Sequence, residues 1–267
     1  MAIDPIFAAF IALHYVSMLI TVIRLGYRVK RRQLWWDDLW ALLAIVGTVF
    51  IIMLYTTLGL RKLNTFPAQM QSFFTWMSYL SSPTAMWSAR LSILLTIIKV
   101  LPFGTNRNVA RASFIVMFFL WVGVLLSKVF MCGVPVPTNL VCDVPRKTTA
   151  LTLTLNIVSV VWLVALPAFR LYRVKSALAY RNFMVACVTA GLCLIAVDVA
   201  HAVNLINAEA PGRVANYQAL NISGNLQVIL SMLASNIVVF ITYMFSVDSP
   251  VPPPPEFERS SKDSASI

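Results

Sequence analysis

The sequence predicts an all-α membrane protein built as a seven-transmembrane helix bundle. Of the 267 residues, 59% are apolar and only 12% are charged, about half the charged fraction of a water-soluble domain. The mean hydropathy is +0.80. Seven apolar runs each reach the length of about 20 residues that a helix needs to cross ~30 Å of hydrocarbon. The runs are roughly 5–25, 38–60, 75–101, 109–131, 149–171, 182–206 and 218–245.

The first two runs begin with recognisable helix starts. Asp4 precedes Pro5, which places a capping residue before a proline at the first helical position. No basic residue lies before this run, so it does not resemble a signal peptide. The second run opens with tryptophans and then with Asp37 and Asp38. We interpret these as an interfacial anchor and as acids that favour a helix N-terminus.

The third and fourth runs carry charge. Small polar residues repeat along one face of the third run, and at 100° per residue Arg90 points almost opposite to them. This pattern predicts a central helix that packs on two sides. In the fourth run, Lys128 is near the outer end and can reach the headgroups. The small polar residues are Ser81, Thr84, Ser88 and Ser92.

The last three runs contain the remaining polar groups. Asn156 lies in the outer half of the fifth, and Asp198 precedes His201 by one turn in the sixth. Offsets of 4 and 11 residues place the asparagines of the seventh on one stripe. These are Asn221, Asn225 and Asn236.

The distribution of Lys and Arg sets the orientation. Fourteen lie in the connections and tail on one side, including Arg24 and Arg28 in the first connection, and five lie on the other. The positive-inside rule therefore predicts an external N-terminus and a cytoplasmic C-terminus. The basic connections are expected to contact anionic lipid, which explains the net charge of +11 without a nucleic-acid partner.

Outside the seven-helix domain of 1–245, the segment 246–267 is predicted to be a disordered cytoplasmic tail. It contains the sequence VPPPP followed by several serines, a composition that favours polyproline II and disorder.

The four cysteines fall into two settings. Cys132 and Cys142 flank the loop after the fourth run on the predicted outer face, where an oxidising compartment favours a disulfide. The alternative is two free thiols. Cys187 and Cys193 are interpreted as small buried packing residues. No metal site is predicted.

Charges within hydrocarbon are costly and often mark function. Arg90 and Asp198 are the opposite charges at comparable depth, so we expect them to pair. With Asn156, His201 and Asn225 they could line an outward-facing ligand pocket. Equally, such residues can serve only to hold helices together by hydrogen bonds.

Several enzyme and cofactor classes do not fit the composition. A retinal protein needs a lysine in its last helix, and 218–245 has none. Zinc and haem sites need more histidines than the two present, and an intramembrane aspartyl protease needs a second aspartate in the core. We therefore expect neither a cofactor nor an enzyme.

The order and spacing of four segments resemble the fungal rhodopsin-domain family, particularly its basidiomycete-like forms. The resemblance covers about 24–245 and includes Lys128 with the Cys132 and Cys142 loop. It implies a seven-helix, receptor-like fungal membrane protein. Where the family tends to carry acids in helix five, this chain has Asn156 and Val160. The segments are RRQLWWDDLWALLA, MWSARLSILLTIIKVLP, LVALPAFRL and SNIVVFITYMF.

These observations predict a receptor-like sensor of an extracellular small molecule in the plasma membrane. A heterotrimeric G protein is a partner by analogy alone, because the third helix lacks an Asp-Arg-Tyr motif and the seventh lacks proline. One alternative is a transporter or channel that uses Arg90, Asp198 and His201. Another is a membrane scaffold whose polar residues only pack helices.

Overall fold

A computed structural model describes residues 5–59, 66–100, 105–132, 146–171, 178–208 and 217–246, and these ranges form seven α-helices without a strand. The cysteine loop and the tail therefore lie outside the described residues. The helices are α1 (Pro5–Lys30), α2 (Trp36–Gly59), α3 (Ala68–Val100), α4 (Thr105–Cys132), α5 (Arg146–Leu171), α6 (Leu178–Ala208) and α7 (Tyr217–Ser246).

Each helix is longer than the apolar run predicted for it. The run predicted to end at residue 25 continues as α1 to Lys30, and α3 begins at Ala68 rather than 75. A helix keeps its backbone hydrogen bonds beyond the hydrocarbon, so apolarity marks the membrane crossing and not the helix end. Arg24 and Arg28, expected in a connection, therefore lie on α1.

The end of α1 has a Schellman geometry. The amide of Gln33 donates to the carbonyl of Arg28 at 3.0 Å, and that of Arg32 donates to Val29 at 3.0 Å. Arg32 adopts a φ of 54°, the left-handed conformation that ends helices in this motif. The short link from α1 to α2 is thereby turned back toward the bundle.

Helix α3 lies at the centre of the bundle. It packs against α2, α4, α5 and α7, whereas α1 packs against α2 and α7, and α6 against α5 and α7. Every residue from Ala85 to Ile98 is buried. A helix surrounded by protein rather than lipid can carry polar side chains. Among the described residues, five helices have a stretch apolar enough to span a membrane: α1, α2, α4, α6 and α7. The central helix α3 is not one of them.

The exterior of the bundle is apolar. Large side chains such as Leu19, Ile23, Phe119 and Phe240 are exposed, which suits lipid and not water. With five apolar helices of spanning length, the protein is an integral membrane protein. The expectation that both Cys187 and Cys193 are buried is wrong for Cys193, which is exposed, because six residues rotate it away from the face that holds Cys187.

Two glycines permit close contacts between helices. At Gly191 of α6 an added Cβ would overlap Cγ2 of Val164 on α5. At Gly47 of α2 it would lie 3.1 Å from the Cβ of Ala85 on α3. Small residues let helix backbones approach in this way in membranes, where packing drives association.

Candidate functional site

The expected ion pair between Arg90 and Asp198 is present at the centre of the bundle. Nη2 of Arg90 lies 2.8 Å from Oδ2 of Asp198, and the two side chains are 0% and 2% exposed. Arg90 points away from the small polar face of α3, as its helical position predicts. The pair links α3 to α6, which otherwise packs mainly against α5 and α7.

Arg90 also reaches α5. Its Nη1 donates to Oγ of Ser159 at 2.8 Å and to the carbonyl oxygen of Asn156 at 3.2 Å, with Oδ1 of Asn156 at 3.4 Å. The guanidinium carbon is 5.8 Å from the centre of the Trp87 ring, within reach of a cation–π interaction. A single arginine therefore connects three helices.

Asp198 is held from both sides. Nε2 of Gln227 on α7 donates to Oδ1 at 2.7 Å, while Arg90 binds the other oxygen. One turn along α6, Nδ1 of His201 lies 2.9 Å from Oγ of Ser223 on α7. The described contacts thus place Arg90, Asn156, Asp198 and His201 in one polar region, which we call the Arg90 site together with Ser159, Ser223 and Gln227.

Asn225 does not join that region. Its Oδ1 lies 2.9 Å from Nε2 of His14 on α1, and its Nδ2 donates to the hydroxyl of Tyr55 on α2 at 2.6 Å. The expectation that Asn225 lines one pocket with Arg90, Asp198 and His201 is therefore wrong for Asn225. Asn225 and Gln227 are two residues apart, which turns them about 200° from each other around α7.

A second buried charge cluster lies where α1 meets the start of α2. Nη1 of Arg28 is 2.7 Å from Asp37 Oδ2 and 2.7 Å from Asp38 Oδ1, and Nη2 of Arg24 is 3.0 Å from Asp37 Oδ2. The side chain of Asp37 is 0% exposed and that of Arg24 is 8% exposed. Two arginines and two aspartates neutralise one another here. Arg24 and Arg28 are thus paired in the protein rather than spread on the lipid surface as expected.

This cluster extends into α3 and α7. Arg24 donates to Ser92 of α3 at 3.2 Å and to Ser235 and Asn236 of α7 at 3.3 Å each. Asp38 does cap its helix, since at the third helical position it accepts from the amide of Trp35, the residue before α2, at 3.0 Å. Asp37 has a larger role than the cap interpretation assigned, because it is the shared partner of both arginines.

The described residues also form a groove of about 560 Å³ between α6 and α7. Its lining is apolar apart from Thr189 and Cys193, and none of the predicted ligand residues lies in it. The Arg90 site itself is closely packed. A ligand that binds Nη1 or Nη2 of Arg90 must displace existing hydrogen bonds.

Some important residues were not predicted from the sequence. Gln227 was missed although it lies one turn from Ser223 on the same face of α7, and that spacing was a usable signal. His14 is one of the two histidines that the sequence analysis only counted against zinc and haem sites, yet it is 0% exposed and hydrogen-bonded to Asn225. The disulfide stays a prediction, because the Cys132 side chain and all of Cys142 lie outside the described residues.

Comparisons with known proteins place the chain in a family. No curated protein and no solved structure matches it. The family model described as the fungal rhodopsin domain matches residues 23–241, which includes the Arg90 site and the cluster of Arg24, Arg28, Asp37 and Asp38. The chain therefore belongs to the fungal rhodopsin domain family.

Proposed function

We propose that the protein is a receptor-like sensor of an extracellular small molecule, with the Arg90 site as its switch. The observation that carries the proposal is the fully buried Arg90–Asp198 pair, which ties α3 to α6. A buried ion pair is often no more stabilising than apolar residues of similar size. Its presence in a membrane helix bundle therefore supports a role beyond packing.

The physical basis of such a switch is competition for the ion pair. A ligand that offers a carboxylate or another anion to Arg90 would replace Asp198 and loosen the link between α3 and α6. Because α6 packs mainly against α5 and α7, losing that link frees it to shift relative to α3. The shift would reach the basic cytoplasmic face, where a heterotrimeric G protein is the proposed partner.

The proposal includes the membrane and its sidedness. We place the protein in the plasma membrane with its N-terminus outside, following the positive-inside rule. We also propose that it functions without retinal, because α7 carries no lysine for a Schiff base. The alternative is a transporter or channel in which Arg90, Asp198 and His201 relay ions or substrate.

The test compares basal signalling of variants, so that no agonist is needed. Native membranes carrying the wild type, Asp198→Asn or Arg90→Gln are incubated with a non-hydrolysable GTP analogue. Breaking the pair should mimic ligand binding and raise nucleotide incorporation several-fold in both variants. The matched control is Ser127→Ala, whose hydroxyl bonds only within α4 in the described contacts. A co-purifying Gα subunit should also dissociate when the analogue is added.

The opposite result would favour the alternatives. Unchanged nucleotide incorporation, together with proton uptake into proteoliposomes that Asp198→Asn abolishes, would contradict the sensor and support the transporter. If the variants lose stability and alter neither readout, the polar residues serve packing alone, as in a scaffold.

A further inference from the structure

A second buried polar region lies between α1, α2, α3 and α7, on the side of α3 opposite to Arg90. At one end is the group of His14, Asn225 and Tyr55. At the other end are the ion pairs of Arg24 with Asp37. On α7, Asn225 lies at the first end and Asn236 at the second. They are eleven residues apart, so the region is about 16 Å long.

Polar side chains also occur between these ends. The hydroxyls of Ser17 on α1 and Thr48 on α2 both point to Sδ of Met232 on α7, at 3.9 and 2.9 Å. Met232 is 1% exposed. Side chains of α1, α2 and α7 therefore bring oxygen and sulfur atoms together about halfway between the two ends of the region.

Ser88 and Ser231 belong to the same level. On α3, Ser88 lies between Ala85 and Ser92, about one turn from each. Ala85 packs against Val228 of α7, and Ser92 accepts a hydrogen bond from Arg24. Ser231 lies one turn from Val228 and one turn from Ser235, which also accepts from Arg24. The two serines therefore occupy facing surfaces of α3 and α7, between contacts that those helices share.

Both serine hydroxyls are buried without a hydrogen-bond partner among the described residues. Ser88 is 0% exposed and Ser231 is 1% exposed. Nδ1 of His14 and Nε of Arg24, at the two ends of the same region, are also buried and unpartnered within the described part of the chain. Burying a hydroxyl without a partner is unfavourable, and alanine would fill either serine position without that cost. Ordered water is the usual partner of such groups.

We propose that a short chain of ordered water molecules is bound between α1, α2, α3 and α7 and joins the group around His14 to the ion pairs around Asp37. Ser88 and Ser231 bind its central water. The chain makes a continuous hydrogen-bonded connection between the two polar ends. It does not depend on the proposed sensor function, because its binding groups lie apart from the Arg90 site.

Radiolytic footprinting of the full-length protein in lipid nanodiscs tests the proposal directly. A brief X-ray pulse produces hydroxyl radicals from bound water, and these oxidise the side chains beside it. Met232 should be oxidised several-fold faster than Met117, a matched control that is 3% exposed and packs in the apolar core. Equal protection of the two methionines would overturn the proposal.

The sign of a stability change provides the second test. If water binds the hydroxyls, Ser88→Ala and Ser231→Ala should each lower the melting temperature by about 2–4 °C. The double variant should lose less than the sum, since the two hydroxyls share one water. If either variant has a higher melting temperature than the wild type, the serine hydroxyl bound no water, and the proposal fails. Ser127→Ala again serves as the control.

Discussion

At the scale of single residues, Arg90 shows that a buried charge needs an ion pair and hydrogen bonds from the surrounding helices. It is 0% exposed and binds Asp198, Ser159 and Asn156. The pairing with Asp198 could be predicted, because the apolar runs of the sequence contain few opposite charges. The spacing of Gln227 from Ser223 indicates only that the two share a face of α7, and the partner of Gln227 depends on how α7 is rotated against α6.

A double-mutant cycle tests this pair. Arg90→Gln and Asp198→Asn should each lower the free energy of unfolding by about 3–5 kcal/mol, because each leaves the other charge buried without its partner. The double variant should be no less stable than either single variant. Unfolding is followed by circular dichroism in mixed detergent micelles. Additive losses would contradict a coupled pair.

Arg24 and Arg28 form ion pairs that their place in the sequence also indicates. They are four residues apart and therefore share one face of a helix, as Asp37 and Asp38 lie together at the start of α2. Counting them as loop charges predicted the orientation but hid the ion pairs. The structure shows that α1 continues through both arginines and turns at Arg32, which brings them to the aspartates.

At the scale of elements, α7 serves two polar regions with different faces. Ser223 and Gln227 contact α6, whereas Asn225 and Asn236 contact α1. The asparagine stripe was predictable from its spacing. Which helix it meets was not, because periodicity defines a face but does not identify its neighbour.

Helix packing at Gly191 provides an element-scale prediction. Gly191→Ala should destabilise the protein by about 1–3 kcal/mol, because the new methyl group overlaps Val164. Adding Val164→Ala should recover much of the loss by making space. The comparison is Gly123→Ala on α4, where an added Cβ meets nothing within 4 Å. That change should be neutral or slightly stabilising, in line with helix propensity.

The outcome depends on the contact between α5 and α6. If Gly191→Ala and Gly123→Ala have equal effects on thermal unfolding in detergent, then the approach of α6 to Val164 is not a tight one. Failure of Val164→Ala to restore stability would lead to the same conclusion.

At the scale of the whole molecule, α3 separates two polar regions in the interior of the bundle. The Arg90 site faces α5, α6 and part of α7, and the second region faces α1, α2 and the other side of α7. Each charge cluster pairs its charges internally. The apolar exterior can therefore face lipid while the interior retains polar groups.

The orientation of the bundle is a whole-molecule prediction. A glycosylation sequon inserted within 133–145 should be modified, because that loop is predicted to face outside. The same sequon inserted in the tail, 247–267, should remain unmodified. Mobility shifts before and after glycosidase treatment report the result. The reverse pattern would invert the orientation and move the proposed ligand to the other side.

By itself, the sequence determined that this is a helical membrane protein of seven apolar runs, resembling the fungal rhodopsin domain family. Those properties follow from local composition, helical periodicity and segment order. Only the tertiary structure decided that Gln227 joins Asp198, that His14 joins Asn225, and that Asp37 binds two arginines of α1. Such contacts join helices far apart in sequence, and their partners depend on the rotation and depth of each helix in the bundle.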